Sequence, residues 1–89
     1  MGTILIAFDS TQQALHTEML LEYADIDIDT RPTPKEITAG CALSIEFPEK
    51  DFEQARQIIM QEKVEIRGFF RKELNGYELI KHELRHGGK

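Results

Sequence analysis

Two groups of side chains in this 89-residue chain could do chemistry beyond simple solvation. The first is Cys41, the single cysteine, which could act as a nucleophile, a redox group or a sulfur carrier once its thiolate is available. The second is His82-Glu83-Leu84-Arg85-His86, which matches the H-E-x-x-H pattern that sets two histidines on one helical face to bind zinc, with the glutamate as base. Three residues follow His86, leaving no room for a downstream third ligand, and the surrounding residues are charged. Chance is the expected reading, with adventitious metal binding by His82 and His86 its nearest rival. No metal and no cofactor are expected. Ser10 has no His–Asp partner set, and helix capping accounts for it; His16 lies between polar neighbours, as a surface residue would.

The elements around Cys41 decide what it can do. Thr3–Phe8 is a short apolar run that predicts a buried strand. Ser10 with Gln13 forms a capping-box pattern, opening a helix over about Thr11–Ala24. Its apolar residues fall on two sides: Ala14, Leu21 and Ala24, with Leu20 at the margin, and separately Leu15, Met19 and Tyr23. One stripe faces the sheet. The other is expected to be covered by the C-terminal tail or by a partner. Ile26-Asp27-Ile28-Asp29 alternates as a half-solvated strand does, with Arg31-Pro32-Thr33-Pro34 ending it. Ala42–Phe47 predicts a third strand, Leu43, Ile45 and Phe47 inward and Ser44 and Glu46 outward. A second helix from Lys50 or Asp51 to Glu62 and a fourth strand over Val64–Phe70 follow. Asn75-Gly76 signals a type I′ turn, so Tyr77–Ile80 returns as a fifth strand or, alternatively, Tyr77–Leu84 forms a terminal helix.

This order predicts an α+β fold, a ferredoxin-like βαββαβ sandwich with two helices on one face of an antiparallel sheet. One domain is expected over residues 1–89, its core over about 3–80 and residues 85–89 frayed. Sixteen acidic residues against eleven basic ones, with no basic cluster, argue against nucleic-acid binding. No apolar run is long enough to span a bilayer. Without a signal-peptide pattern or a cysteine pair, a cytoplasmic location is expected.

Between strands 2 and 3, Thr33 and Glu36 form a second capping-box pair, and Pro34 suits a first helical position. A short helical turn is expected there, with Gly40 as a left-handed stop. In this topology strands 1 and 3 are adjacent and antiparallel. Cys41 therefore approaches Phe8, Asp9 and the helix N-terminus near Ser10–Gln12, whose amides favour an anion. Arg31 and Lys35 could add positive charge. The opposing reading is that Cys41, sharing the parity of Leu43, Ile45 and Phe47, is buried as a small hydrophobe.

The run Arg31-Pro32-Thr33-Pro34-Lys35-Glu36-Ile37-Thr38-Ala39-Gly40-Cys41-Ala42-Leu43 closely resembles the signature of a selenium/sulfur carrier protein-like family of small bacterial proteins, long treated as a domain of unknown function. The likeness extends more weakly from Ile4 to about Phe70. It implies that Cys41 carries sulfur or selenium as a persulfide or selenopersulfide. It implies too that Arg31, Thr33, Lys35, Glu36 and Gly40 shape the site; Pro34 in the turn and Ser10 at the helix start are expected to shape it with them. The partners would be sulfur or selenium donor and acceptor proteins, with no enzymatic activity of the chain's own. Ala42 stands where the family pattern has Gly, and Glu46 where it has a basic residue. The rival class is a non-catalytic interaction module, including a homodimer through a sheet edge or the Leu15, Met19, Tyr23 face.

Overall fold

The structure, a computed structural model, describes residues 2–80. The H-E-x-x-H run, the frayed end and the outer half of the terminal-helix alternative lie outside the described residues. Five strands and two helices follow in order: β1 (Thr3–Ala7), α1 (Thr11–Tyr23), β2 (Asp29–Pro32), β3 (Leu43–Pro48), α2 (Phe52–Gln61), β4 (Gly68–Glu73) and β5 (Gly76–Ile80). The fold is α+β, and the strands form one antiparallel sheet in the order β2-β3-β1-β4-β5. β1 is central, and every residue from Ile4 to Phe8 is buried, as its unbroken apolar sequence requires.

The two faces of β1 carry two cores. Ile4, Ile6 and Phe8 meet Ala14 and Leu21 of α1, Ala55 and Ile59 of α2, and Ile45, Phe47 and Phe69 from the neighbouring strands. Phe52 and Phe69 pack edge to face there, centroids 5.0 Å apart, worth about 1 kcal/mol beyond area burial. On the opposite face Leu5 and Ala7 are buried beneath Ile37, with Ala39, Phe70 and Tyr77 around them. No helix covers that face among the described residues; the β2–β3 connection does. The connection supplies Ile37, buried, with Ala39 packed beside it.

Both helices end in the same way. Asp25 N–H bonds Glu22 O and Ile26 N–H bonds Leu21 O after α1; Lys63 N–H bonds Met60 O and Val64 N–H bonds Ile59 O after α2. Asp25 (φ 64°) and Lys63 (φ 56°) take the left-handed position. This is the Schellman stop, usually made with glycine. Ile26 and Val64 are thus spent closing helices against the core, and the strands begin later than their apolar residues suggest. β2 starts at Asp29 instead of Ile26, and β4 at Gly68 instead of Val64. Pro32 does not end β2 early: it lies opposite Leu43 in an edge strand, where a missing N–H need not break the ladder.

Three further expectations change. Pro34–Ile37 is the short turn expected, Ile37 N–H to Pro34 O at 3.1 Å, but the Thr33 hydroxyl donates to Cys41 O instead of capping it. Gly40 has no positive φ; its glycine is needed for a close approach described below. The β4–β5 hairpin turns on Leu74-Asn75, since Glu73 lies opposite Gly76, and neither turn residue has the positive φ of a type I′ turn. Gly76 itself, at φ 149°, adopts a conformation that L side chains rarely take. Ser44, on the outward side of β3, is fully buried. Thr17 Oγ1, on the sheet side of α1, is buried without a hydrogen-bond partner.

Two outcomes follow from the second core. Ile37→Ala lowers unfolding free energy by about 2 kcal/mol and speeds amide exchange across 33–41 while β1 amides stay protected. Tyr77 titrates above the ordinary tyrosine range because burial disfavours its phenolate, and Glu46 and Glu36 add to this while Arg31 opposes it. A raised pKa stabilises the fold below the unfolded value of about 10 and is lost as pH rises past it. Phenolate absorbance in a Tyr23→Phe variant reads the shift directly.

Candidate functional site

The site is built where β1 ends. Phe8 O accepts the Cys41 N–H at 3.1 Å, and Asp9 Oδ1 accepts the Gly40 N–H at 3.0 Å. These bonds lay the end of the β2–β3 connection across the β1–α1 loop. The approach is so close that a Cβ on Gly40 would stand 2.7 Å from Asp9 O, a backbone atom that cannot yield cheaply. Arg67, just before β4, ties the arrangement together. Its N–H bonds Ala7 O at 2.7 Å, its Nε donates to Thr38 O at 3.0 Å, and its Nη1 lies 3.7 Å from Asp9 Oδ2. The Asp9 carboxylate thereby serves both Gly40 and Arg67.

Cys41 itself is 4% exposed and belongs to the larger core. Thr11 Oγ1, on the first residue of α1, lies 3.5 Å from Sγ, and Leu43 N–H donates to Sγ at 3.3 Å. Thr11 and the chain neighbours Gly40 and Ala42 are exposed, while Cys41 between them is buried. Below it, Thr33 Oγ1 donates to Cys41 O at 3.0 Å and lies 2.6 Å from Ser44 Oγ. A hydroxyl has one proton, so Ser44 must be the donor in that second contact. Thr33 N–H bonds Ala42 O at 2.8 Å. Thr33 thus holds the Cys41 backbone from the β2 side while Phe8 holds it from the β1 side.

Of the predicted site residues, Thr33, Gly40 and Cys41 converge. Ser10 is adjacent, its hydroxyl accepting the Gln13 N–H at 3.2 Å as the N-cap of α1. Arg31 does not join them: it lies in edge strand β2, paired with Glu46 at 3.7 Å and Asp29 at 3.8 Å. Pro34, Lys35 and Glu36 form the turn, with Lys35 and Glu36 exposed; Glu36 acts electrostatically on Tyr77. The basic group that braces the segment is Arg67, which sequence reasoning missed. It stands 29 positions from Thr38, in a loop without any motif, so no sequence signal marks it. Thr11 was missed as well, although its place immediately after the N-cap was a usable clue. Among the described residues no group of three or more His, Cys, Asp or Glu is placed to hold a metal ion. Among them, too, no helix is long and apolar enough to cross a membrane.

A family model described as "Putative Se/S carrier protein-like" matches residues 3–71, which include β1, the whole connection and Cys41. No curated protein and no solved structure matches the chain.

The packing around the sulfur sets two expected outcomes. Gly40→Ala forces the connection away from Asp9, costing about 1–3 kcal/mol as overpacking does and raising the rate of Cys41 alkylation under native conditions. Thr33→Val strands the buried Ser44 hydroxyl, costing about 2 kcal/mol in urea unfolding. The double variant Thr33→Val, Ser44→Ala recovers part of that loss.

Proposed function

The chain belongs to the "Putative Se/S carrier protein-like" family, and from that premise we propose that Cys41 carries a sulfur or selenium atom, as a persulfide or selenopersulfide, between partner proteins. The observation that carries the reading is the position of Sγ. It is buried at the start of α1, with the hydroxyl of the exposed Thr11 and the Leu43 N–H against it. In loading, the Cys41 thiolate attacks the terminal sulfur of a donor persulfide. The Sγ–S bond forms, the donor's S–S bond breaks, and the donor leaves as a thiolate. In delivery, an acceptor nucleophile takes the terminal sulfur and Cys41 is released as a thiolate. Neither step needs a metal, a cofactor or an external oxidant, which suits a chain with one cysteine. The same thiolate would serve selenium. The Leu43 N–H is suited to hold the sulfur in place.

In this reading the protein is a non-enzymatic carrier of the cytoplasm, with donor and acceptor proteins as partners. With β5 set aside, the remaining strands and the two helices are read as a ferredoxin-like split βαβ sandwich.

A second reading is favoured by the burial of Cys41 in the core, where a free thiol behaves as a small hydrophobe. The chain would then be an interaction module with a structural cysteine. One experiment separates the two. Incubation with a small-molecule persulfide donor adds one sulfur to the protein, read by intact mass; a reductant removes it and Cys41→Ser abolishes it. Native protein that takes up no sulfur and resists alkylation at Cys41 would sink the carrier reading.

A further inference from the structure

The outward face of α1 carries an apolar ridge that stands exposed among the described residues. Leu15, Met19 and Tyr23 follow at intervals of four and are 53%, 60% and 92% exposed, while Ala14, Thr17 and Leu21 fill the sheet side. The ridge begins at the sulfur. Thr11, whose hydroxyl touches Sγ, precedes Leu15 by one turn, about 6 Å along the axis. Whatever binds Leu15 and Met19 therefore lies within a turn of Thr11, the residue in contact with Cys41.

The charges along this ridge have one sign. Glu18 and Glu22 flank it, and Asp25 and Asp27 follow the helix end. None of these four makes an ion pair among the described residues. The last turn of α1 holds no basic residue, so carboxylates crowd the negative end of the helix dipole. Helix α2 provides the contrast: the same left-handed position after it is Lys63, the favourable sign. Acidic residues at an adverse helix end, beside exposed apolar ones, leave a surface complementary to cations and apolar groups together.

We propose that this face docks a basic amphipathic helix of a partner protein, one whose apolar side chains lie on Leu15, Met19 and Tyr23 and whose Lys and Arg residues meet Glu18, Glu22, Asp25 and Asp27. A second copy of this chain fits poorly, because it would set the same acidic flank against itself. Helix-in-groove recognition reads ridges at this spacing. The assignment rests on the carrier reading only for the partner's task, which is to bring its own sulfur group over Thr11.

The test uses the full chain and two synthetic helical peptides with the same leucine ridge, one flanked by lysines and one by glutamates. Amide shifts of the isotope-labelled protein are followed during titration. The expected result is saturable binding of the lysine peptide, with shifts centred on Leu15, Met19, Glu22 and Tyr23. Leu15→Ser with Met19→Ser weakens it about tenfold, and Glu18→Lys with Glu22→Lys moves the preference to the glutamate peptide. Absent binding, equal binding of both peptides, or shifts centred elsewhere would overturn the proposal. So would a concentration-dependent dimer that the serine variants dissolve, or binding that appears only after residues 81–89 are removed. Sulfur uptake by Cys41 from a small-molecule donor is measured on the same serine variants and stays at the level of the unaltered chain. Failure of the dock is thereby told apart from failure of the carrier.

Discussion

The hydrogen bond from Cys41 N–H to Phe8 O is the contact on which the rest of the site depends. It joins residues 33 positions apart, and it forms only because β1 and β3 are antiparallel neighbours with Ala7 opposite Ser44. One residue of slip would move Cys41 to the other face of the sheet and exchange the two cores. Register is held by Ile4, Ile6, Ile45 and Phe47 on one face and by Leu5 and Ala7 on the other. The hydrophobic burial that stabilises the fold is therefore also what delivers the sulfur to the start of α1.

The connection Thr33–Gly40 has two tasks that elsewhere fall to separate elements. Through Ile37 it closes the second core over Leu5 and Ala7. Through Thr33, Gly40 and the Asp9–Arg67 pair it holds Cys41 from both sides. No helix covers this face among the described residues, so the order of the connection and the burial of β1 are coupled. This accounts for a loop more specifically built than a strand-to-strand link requires, and for the absence of a regular helix in it. The groups that would cap a helix are already bonded across to β3 and to the β1–α1 loop.

Helix α1 connects the site with the surface. Its inner face packs on the sheet, its first residue touches the sulfur, and its outer face is apolar and acid-flanked. A helix that only covered a sheet would keep its outer face polar. Family membership suggests the cargo class proposed above. The geometry supplies the spatial relation between the sulfur and the surface a partner would meet.

Much of this was legible in the sequence. The period-two pattern of Leu43, Ile45 and Phe47, the unbroken run from Ile4 to Phe8, and the Ser10 cap gave the elements and placed Cys41 near Phe8 and the start of α1, because those signals are local and hydrophobic. Ile26 and Val64 misled, since helices that stop at Asp25 and Lys63 without glycine spend an apolar residue that looks like the start of a strand. Gly40 was noticed for the wrong reason: its need for space comes from Asp9, 31 positions away, and not from its own φ. Arg67 was invisible, because an arginine in a loop has no period and no motif until the fold sets it against Thr38 and Asp9. The sequence by itself determined which residues make the core, which segment carries the thiol and the family that segment resembles. Only the tertiary structure decided that the thiol is buried against Thr11 and Leu43, what braces it, and that the outer face of α1 begins one turn away, since each depends on contacts between residues far apart in the chain.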